Sequence, residues 1–172
     1  MMNIKIEKAS VEQKVVLRNL LELYKYDFSE YDPEDVNEHG EYGYKYFDHY
    51  WTEPERFPFL ITVDDKYAGF ALVRKKTQDH MTIEFCFSMA EFFIMKKYRK
   101  NGVGKHAATY LFDRFPGKWE VAQIKENIPA RKFWVKVISD YTNRNYTEIQ
   151  RDDWDGPIQT FITYSNNVVD QP

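Results

Sequence analysis

Residues 91–105 of the chain read EFFIMKKYRKNGVGK, and no other stretch of the sequence is as informative. A β-rich run ends just before Arg99-x-x-Gly102-x-Gly104, and apolar residues then recur at helical spacing from Ala107 onward. Glycines at these positions let the backbone turn tightly, so that its N–H groups point outward at the N-terminus of a helix. A helix N-terminus attracts negative charge. The pattern therefore predicts a strand–loop–helix unit that binds an anion such as a diphosphate.

Cationic side chains around the two glycines add to this electrostatic prediction. They are Lys96, Lys97, Arg99, Lys100 and Lys105. The segment lacks both G-x-G-x-x-G and a G-K-[ST] ending, so neither a dinucleotide-binding fold nor a nucleoside triphosphatase is favoured. The whole chain has a net charge of -3 and a pI of about 5.8, which argues against a surface built to bind nucleic acid.

The rest of the chain predicts strands and helices without a linker or an internal repeat. Strands are predicted at 3–7, 59–63, 67–74, 82–95, 119–124, 146–150 and 159–164, with turns at 64–66 and 155–156 and a break in the fourth strand near 88–90. Helices are predicted after the Ser10/Gln13 capping box for roughly 18 residues, within 42–51, from the glycines to Pro116, and after Asn127. These elements predict one mixed sheet flanked by helices.

Composition limits the compartment and the partners. The 172 residues are 43% hydrophobic, which favours a single domain over 1–172, and the tail after about 165 is expected to fray. The single cysteine, Cys86, excludes an internal disulfide and multi-cysteine zinc sites. No signal peptide, membrane span or histidine-based metal motif is found. We expect a cytoplasmic monomer or homodimer with no metal, no membrane and no nucleic-acid partner.

Residues 91–105 resemble the acyl-coenzyme A binding signature of the GNAT superfamily of N-acyltransferases, whose core pattern is [Arg/Gln]-x-x-Gly-x-[Gly/Ala]. Asn127-x-x-Ala130-x-x-Phe133-Trp134 resembles the motif on that family's next strand and helix. The resemblance implies a GNAT-like α+β fold: a single mixed, mostly antiparallel sheet of about six to seven strands flanked by about four helices. It also implies direct transfer of an acetyl group from acetyl-CoA to a primary amine in a ternary complex.

The resemblance assigns a coenzyme A site. Backbone amides of the loop would hold the pyrophosphate; the loop residues are Arg99, Lys100, Asn101, Gly102, Val103, Gly104 and Lys105. The backbone of Ile94, Met95 and Lys96 would pair with the pantetheine arm like an added strand. Asn127 would contact the arm or cap its helix.

Trp134 stands in the coenzyme A motif where the family commonly has a tyrosine that protonates the departing thiolate. An indole only donates a hydrogen bond and cannot serve as this acid. Tyr141 is the candidate acid in its place, with Tyr146 or solvent as alternatives, and both tyrosines could instead serve packing.

Glu91 is the candidate general base, because it lies near the strand expected to hold the thioester. Glu84 is the second candidate, and either carboxylate could instead pair with Lys96 or Arg99. The acidic segment 27–41 has no Lys or Arg and could attract a cationic small molecule or peptide amine, or could be a solvated face.

Three other functional readings remain open in the sequence. A non-catalytic acyl-CoA binding or sensing module is the main alternative, because Trp134 replaces the usual tyrosine. A nucleic-acid binder using the cations of 96–105 is another. Cys86 could form an acyl-enzyme, but its apolar neighbours Phe85 and Phe87 favour a core position.

Overall fold

The computed structural model of the chain describes residues 2–79 and 84–165. The first two residues of the fourth predicted strand and the tail after 165 lie outside these residues. The elements are β1 Ile4–Lys8, α1 Lys14–Phe28, α2 His49–Thr52, β2 Arg56–Val63, β3 Lys66–Asp79, β4 Glu84–Ile94, a 3₁₀ turn Lys96–Tyr98, α3 Val103–Arg114, β5 Gly117–Ala122, α4 Ile128–Tyr141, β6 Tyr146–Arg151 and β7 Trp154–Thr163.

The seven strands form one sheet in the order β1-β2-β3-β4-β5-β7-β6. Every neighbouring pair is antiparallel except β4 and β5, which run parallel. The connection between these two strands is α3, because parallel neighbours need a crossover. The expected α+β architecture, with a mixed and mostly antiparallel sheet, is confirmed.

Apolar residues cover the two faces of the sheet unequally. On one face α3 and α4 pack over a large cluster that includes Phe112, Trp119 and Phe161. On the other face α1 and α2 pack over a smaller cluster that draws on β2, β3 and the end of β4. No buried residue of β5, β6 or β7 belongs to the second cluster. We call this uncovered part of the second face, over β5 to β7 and the start of β4, the open face.

Strand β4 has two irregularities that shape the sheet. Leu72 pairs with Glu91 whereas Val73 pairs with Met89, so Ala90 is an extra residue in a β-bulge. The parallel pairing with β5 consists of Phe87 with Trp119 and Ser88 with Glu120. Beyond Ser88 the two strands diverge, and the break predicted near 88–90 lies at this point.

Several local predictions differ from the structure. The predicted capping-box bond from the Ser10 N–H to the Gln13 side-chain oxygen is present at 3.0 Å, but helix α1 starts only at Lys14, after a turn over residues 11–13. The helix predicted within 42–51 is the single turn α2. Asp155 and Gly156 lie inside β7, where a Cβ on Gly156 would be 2.0 Å from the Gln123 carbonyl oxygen.

Of the two predicted turns between strands, the turn between β2 and β3 forms where it was predicted, and the turn between β6 and β7 does not. The turn at Asp64 and Asp65 forms, with φ values of 48° and 58°. The last turn instead uses Asp152 and Asp153. Among the described residues, no helix is long and apolar enough to cross a membrane.

Candidate active site

The backbone amides ahead of α3 are free to bind a ligand. The N–H groups of residues 100–105 donate to no acceptor among the described residues, and the first helical bond here runs from the His106 N–H to the Gly102 carbonyl at 2.9 Å. The first N–H groups of a helix have no partner inside it, and they carry the positive end of its dipole. This arrangement suits an anion.

Each glycine of this loop has its own structural reason. Gly102 caps α3 with a φ of 80°, a conformation that costs other residues energy, and it has open space where a Cβ would lie. Gly104 lies against α4: a Cβ there would be 3.1 Å from the Phe133 ring. One glycine therefore sets the direction of the amides, and the other lets α3 approach α4.

Ion pairs and a hydrogen bond of Arg99 hold the loop of residues 99–105 against α1 and β4. The Arg99 guanidinium donates to the Ile94 carbonyl at 2.7 Å and to the Asp27 carboxylate at 2.5 Å, and Lys96 lies 3.1 Å from the same carboxylate. Burial would raise the pKa of Asp27, but hydrogen bonds from Arg99 and Lys96 lower it overall. Arg99 therefore supports the backbone of the loop through its Nε and one Nη nitrogen.

The edge of β4 that faces the divergence can be located residue by residue. The Met95 N–H donates to the Ala68 carbonyl of β3 at 2.8 Å. Because backbone groups alternate sides along a strand, those of Phe92 and Ile94 point away from β3, toward the divergence. The Ile94 carbonyl is taken by Arg99, and the Lys96 carbonyl accepts the Arg99 N–H. The open edge is therefore at Phe92 and Ile94, and Met95 and Lys96 lie outside it.

Glu91 lies on the α1 side of this edge. Its carboxylate accepts a hydrogen bond from the Tyr24 hydroxyl at 2.6 Å, and the Tyr44 hydroxyl lies nearby. Burial raises the pKa of Glu91, and the two hydroxyls offset this in part because they stabilise the charged form. Glu91 nevertheless keeps partial exposure to solvent. A partly accessible carboxylate with a raised pKa has the properties of a general base.

The second predicted motif lies beside the loop. Asn127 caps α4, since its side-chain oxygen accepts the N–H of Ala130 at 3.1 Å. Trp134 is buried and meets Phe92 edge to face, with ring centroids 5.0 Å apart, and Phe133 stacks on Phe92 at 5.9 Å. The two aromatic residues of α4 thus form an apolar wall behind the open edge of β4.

The structure does not bring the predicted acid to the predicted base. The Tyr141 hydroxyl donates to Asp113 at 2.7 Å, and its ring packs on Phe112. Burial and the hydrogen bond to Asp113 raise the pKa of Tyr141. Asp113 is ten residues after the start of α3, about 15 Å along the helix from the loop.

The remaining candidate residues have other partners. Tyr146 packs against the large cluster at the start of β6. Glu84 pairs with Lys118 at 2.8 Å, not with Lys96 or Arg99, and it is seven residues before Glu91, about 20 Å along β4. Cys86 is buried. The loop cation Lys105 pairs with Asp140 at 2.8 Å.

Sequence reasoning missed several polar residues near the divergence. Tyr24 and Tyr44 look like ordinary helix and loop aromatics until the fold places them against Glu91. Glu120 is 5% exposed at the last β4–β5 pair, and it binds Arg151 at 2.7 Å. No local pattern in the sequence marks these contacts, because they join distant segments. Within 2–79 and 84–165, no group of three or more His, Cys, Asp or Glu could hold a metal ion.

The site combines a β-bulge, a parallel strand pair that diverges, and a helix N-terminus with free amides. The model of the acetyltransferase (GNAT) family matches residues 18–138. The chain therefore belongs to the GNAT family of acetyltransferases, which are acyltransferase enzymes.

Solved structures agree with this assignment at the level of the fold. A GNAT-family acetyltransferase from Staphylococcus aureus Mu50 has a TM-score of 0.64 and 16% identity, covering 93% of this chain and 99% of that one. The PaiA N-acetyltransferase from Thermoplasma acidophilum, in complex with coenzyme A, has a TM-score of 0.60 and 13% identity, covering 94% and 99%. Naa50 from Arabidopsis thaliana, with the bisubstrate analogue CoA-Ac-MVNAL, has a TM-score of 0.60 and 13% identity, covering 92% and 97%. No curated protein sequence matches the chain.

Proposed function

We propose that the chain transfers an acetyl group from acetyl-CoA to a primary amine by direct attack in a ternary complex. The observation that carries the proposal is the alignment of three features along β4: the free amides at 100–105, the open edge at Phe92 and Ile94, and the Glu91 carboxylate. The solved relatives with coenzyme A and with a CoA-peptide analogue support it. We place this activity in one domain, since strands from Ile4 to Thr163 share one sheet, and we propose the cytoplasm as its compartment because the single cysteine suits a reducing environment.

Each part of the cosubstrate has a matching surface in this proposal. The pyrophosphate binds the loop amides and the helix dipole of α3. The pantetheine arm pairs with Phe92 and Ile94 between the diverging strands, as an added strand does. Phe133 and Trp134 exclude water from its far side. Asn127 keeps α4 in place through its cap.

The amine must lose a proton before it attacks the thioester. An alkyl ammonium of pKa about 10.4 is only about 0.04% neutral at pH 7. Glu91 accepts this proton, and its raised pKa makes it a stronger base than an exposed carboxylate. The Glu91 charge and the acidic segment 27–41 attract the amine in its cationic form. Within that segment, Asp27 and Glu34 already pair with cations of this chain.

The leaving thiolate needs little help. A thiol has a pKa of about 8.5, so its anion leaves readily near neutral pH. Since Tyr141 is bonded to Asp113 and packs at the far end of α3, we assign protonation of the thiolate to solvent. Most of the rate enhancement then comes from holding the amine and the thioester together, worth up to about 7–11 kcal/mol.

Two measurements test the proposal. Calorimetry with acetyl-CoA should give a stoichiometric binding isotherm, and a panel of primary amines should then release free thiol from acetyl-CoA. Binding without amine-dependent thiol release would instead identify an acyl-CoA binding module. RNA binding that coenzyme A does not displace would indicate a nucleic-acid binder.

A further inference from the structure

Two arginines face each other across β2 and β3, on the face that carries Glu91. Arg56 is directly opposite Arg74 in the strand register. Like charges at directly opposed positions destabilise a sheet. The Arg56 Nε donates to the Glu53 carboxylate at 2.5 Å, whereas Arg74 makes no ion pair or side-chain hydrogen bond among the described residues. The partly exposed Glu53 carboxylate is thus the one ion-pair partner of two guanidinium groups among the described residues. The arginine pair therefore has excess positive charge.

Buried donors converge on the same place. Arg56 is 8% exposed and Tyr50 is 2% exposed, and the Arg56 Nη1 and the Tyr50 hydroxyl make no well-formed hydrogen bond, although the Tyr50 hydroxyl lies close to Arg56 and to the Tyr44 hydroxyl. The Arg56 guanidinium carbon lies 5.4 Å from the centre of the Tyr50 ring. Buried polar groups are almost always hydrogen-bonded, because an unmade bond costs about 1–3 kcal/mol. An oxyanion can accept from both groups and neutralise the second arginine.

The arginine pair lies close to the proposed base. Arg74 is two residues beyond Leu72, the residue opposite Glu91, so the two side chains share a face at a Cα separation of roughly 7–8 Å. Tyr50 is close enough to interact electrostatically with Glu91 and with both arginines. Lys76, two residues further along β3, lines a concavity of about 690 Å³ on the open face. The pair therefore lies between the base and an open approach.

We propose that Arg56, Arg74 and Tyr50 bind an oxyanion group of the acceptor, so that the favoured acceptor is a primary amine that also carries a carboxylate or phosphate. This inference rests on the proposed function. A planar guanidinium offers two parallel N–H groups to such an anion, which adds affinity and fixes its orientation. With the anion held at the pair, the amine of a short molecule lies near Glu91.

The test compares acceptors that differ only in the anion. We compare kcat/KM for 4-aminobutyrate with kcat/KM for butylamine, and include 2-aminoethyl phosphate to distinguish a carboxylate from a phosphate. In the wild type we expect 4-aminobutyrate or 2-aminoethyl phosphate to be favoured at least about tenfold over butylamine. In Arg74→Met this ratio should fall toward one. Lys75→Met removes the same charge from the neighbouring β3 residue, whose Nζ lies 3.8 Å from the centre of the Phe85 ring, and should keep the ratio.

A second test measures anion binding and does not require catalytic turnover. Acetate or inorganic phosphate should raise the thermal midpoint of the wild type more than that of Arg74→Met, because anion binding at the loop amides is common to both proteins, and the midpoint of Arg74→Met without anion should equal or exceed the wild type's because the like-charge pair is relieved. A wild-type acceptor ratio near one, a ratio unchanged in Arg74→Met, or an equal anion-dependent midpoint shift in the two proteins overturns the inference. If no amine releases thiol, the proposed acetyl transfer fails while the anion titration still decides the site.

Discussion

At the scale of single residues, Glu91 combines features that usually conflict. Burial raises its pKa, and yet it keeps some solvent access and a 2.6 Å hydrogen bond from Tyr24. A carboxylate with a raised pKa holds a proton more strongly than an exposed one. These properties fit a group that takes a proton from an incoming ammonium.

Glu91→Gln should lower kcat by at least about tenfold, because the amide cannot accept the ammonium proton. The Kd for coenzyme A should stay unchanged, since the loop amides are untouched. Steady-state kinetics and calorimetry measure the two quantities. Glu84→Gln is the matched control, because that exposed carboxylate lies on the same strand and pairs with Lys118. Equal kinetics for both variants would remove Glu91 from the mechanism.

Tyr24→Phe should move the acidic limb of the kcat/KM profile to higher pH. The hydroxyl stabilises the Glu91 carboxylate, so its loss raises the pKa of Glu91 further, and the base is then deprotonated only at higher pH. At pH 7 we expect kcat/KM to fall roughly three- to tenfold. Tyr26→Phe, on the same helix but 71% exposed, should leave the profile unchanged. If the acidic limb of the kcat/KM profile stays at the same pH in Tyr24→Phe, the proposed role of this hydrogen bond is wrong.

At the scale of elements, the unit β4–loop–α3 works because its backbone is held from both sides. Arg99 ties the loop to the Ile94 carbonyl and to Asp27 of α1, while Gly104 brings α3 against Phe133 of α4. The left-handed backbone conformation at Gly102, which glycine adopts without strain, then points the free amides outward. The site depends on the direction of backbone groups more than on the chemistry of side chains.

Gly102→Ala should therefore weaken coenzyme A binding by about tenfold, because relief of the strained φ turns the loop amides away. Its free energy of unfolding should fall by about 1 kcal/mol. Gly40→Ala is a matched control, with a φ of 75° and open space around it in a remote loop. It should show a similar loss of stability in urea unfolding with an unchanged Kd. Equal Kd values for the two variants would argue against a role for the Gly102 amides.

At the scale of the whole molecule, the large cluster under α3 and α4 holds the core together. Phe112 contacts Trp119, Trp134, Tyr141 and Phe161 through ring pairs 4.9 to 6.5 Å apart. Aromatic pairs in these geometries add to the free energy gained by burial. Because this cluster also includes Trp134 of the proposed site, stability and site geometry are linked.

Phe112→Ala should lower the free energy of unfolding by about 3–5 kcal/mol, since it leaves a cavity among four aromatic rings. Tyr110→Ala, on the same helix and 39% exposed, should cost less than about 1 kcal/mol. Urea unfolding followed by tryptophan fluorescence measures both changes. A loss below about 1 kcal/mol in Phe112→Ala would contradict the central position of this ring.

The sequence predicted those parts of the fold that depend on local patterns. Alternation of apolar residues located the strands, and the glycines with Asn127 located the starts of α3 and α4. The Ser10–Gln13 capping-box bond was among these local predictions, whereas the close approach of Gly156 to Gln123 was missed, because a distant segment of the chain decides it. The candidate site follows the same division: the loop was predicted, and the partners of Glu91 were not.

The parting of β4 from β5 has a mechanical consequence. In the described register, only two residue pairs join the ladder β1 to β4 to the ladder β5 to β7. A molecule that hydrogen-bonds to the backbone of both β4 and β5 where they diverge takes the place of the absent strand pairing. Its binding therefore makes the protein more rigid. Amide hydrogen exchange should then slow in both ladders when the cosubstrate is bound, in proportion to the occupied fraction of the cosubstrate site.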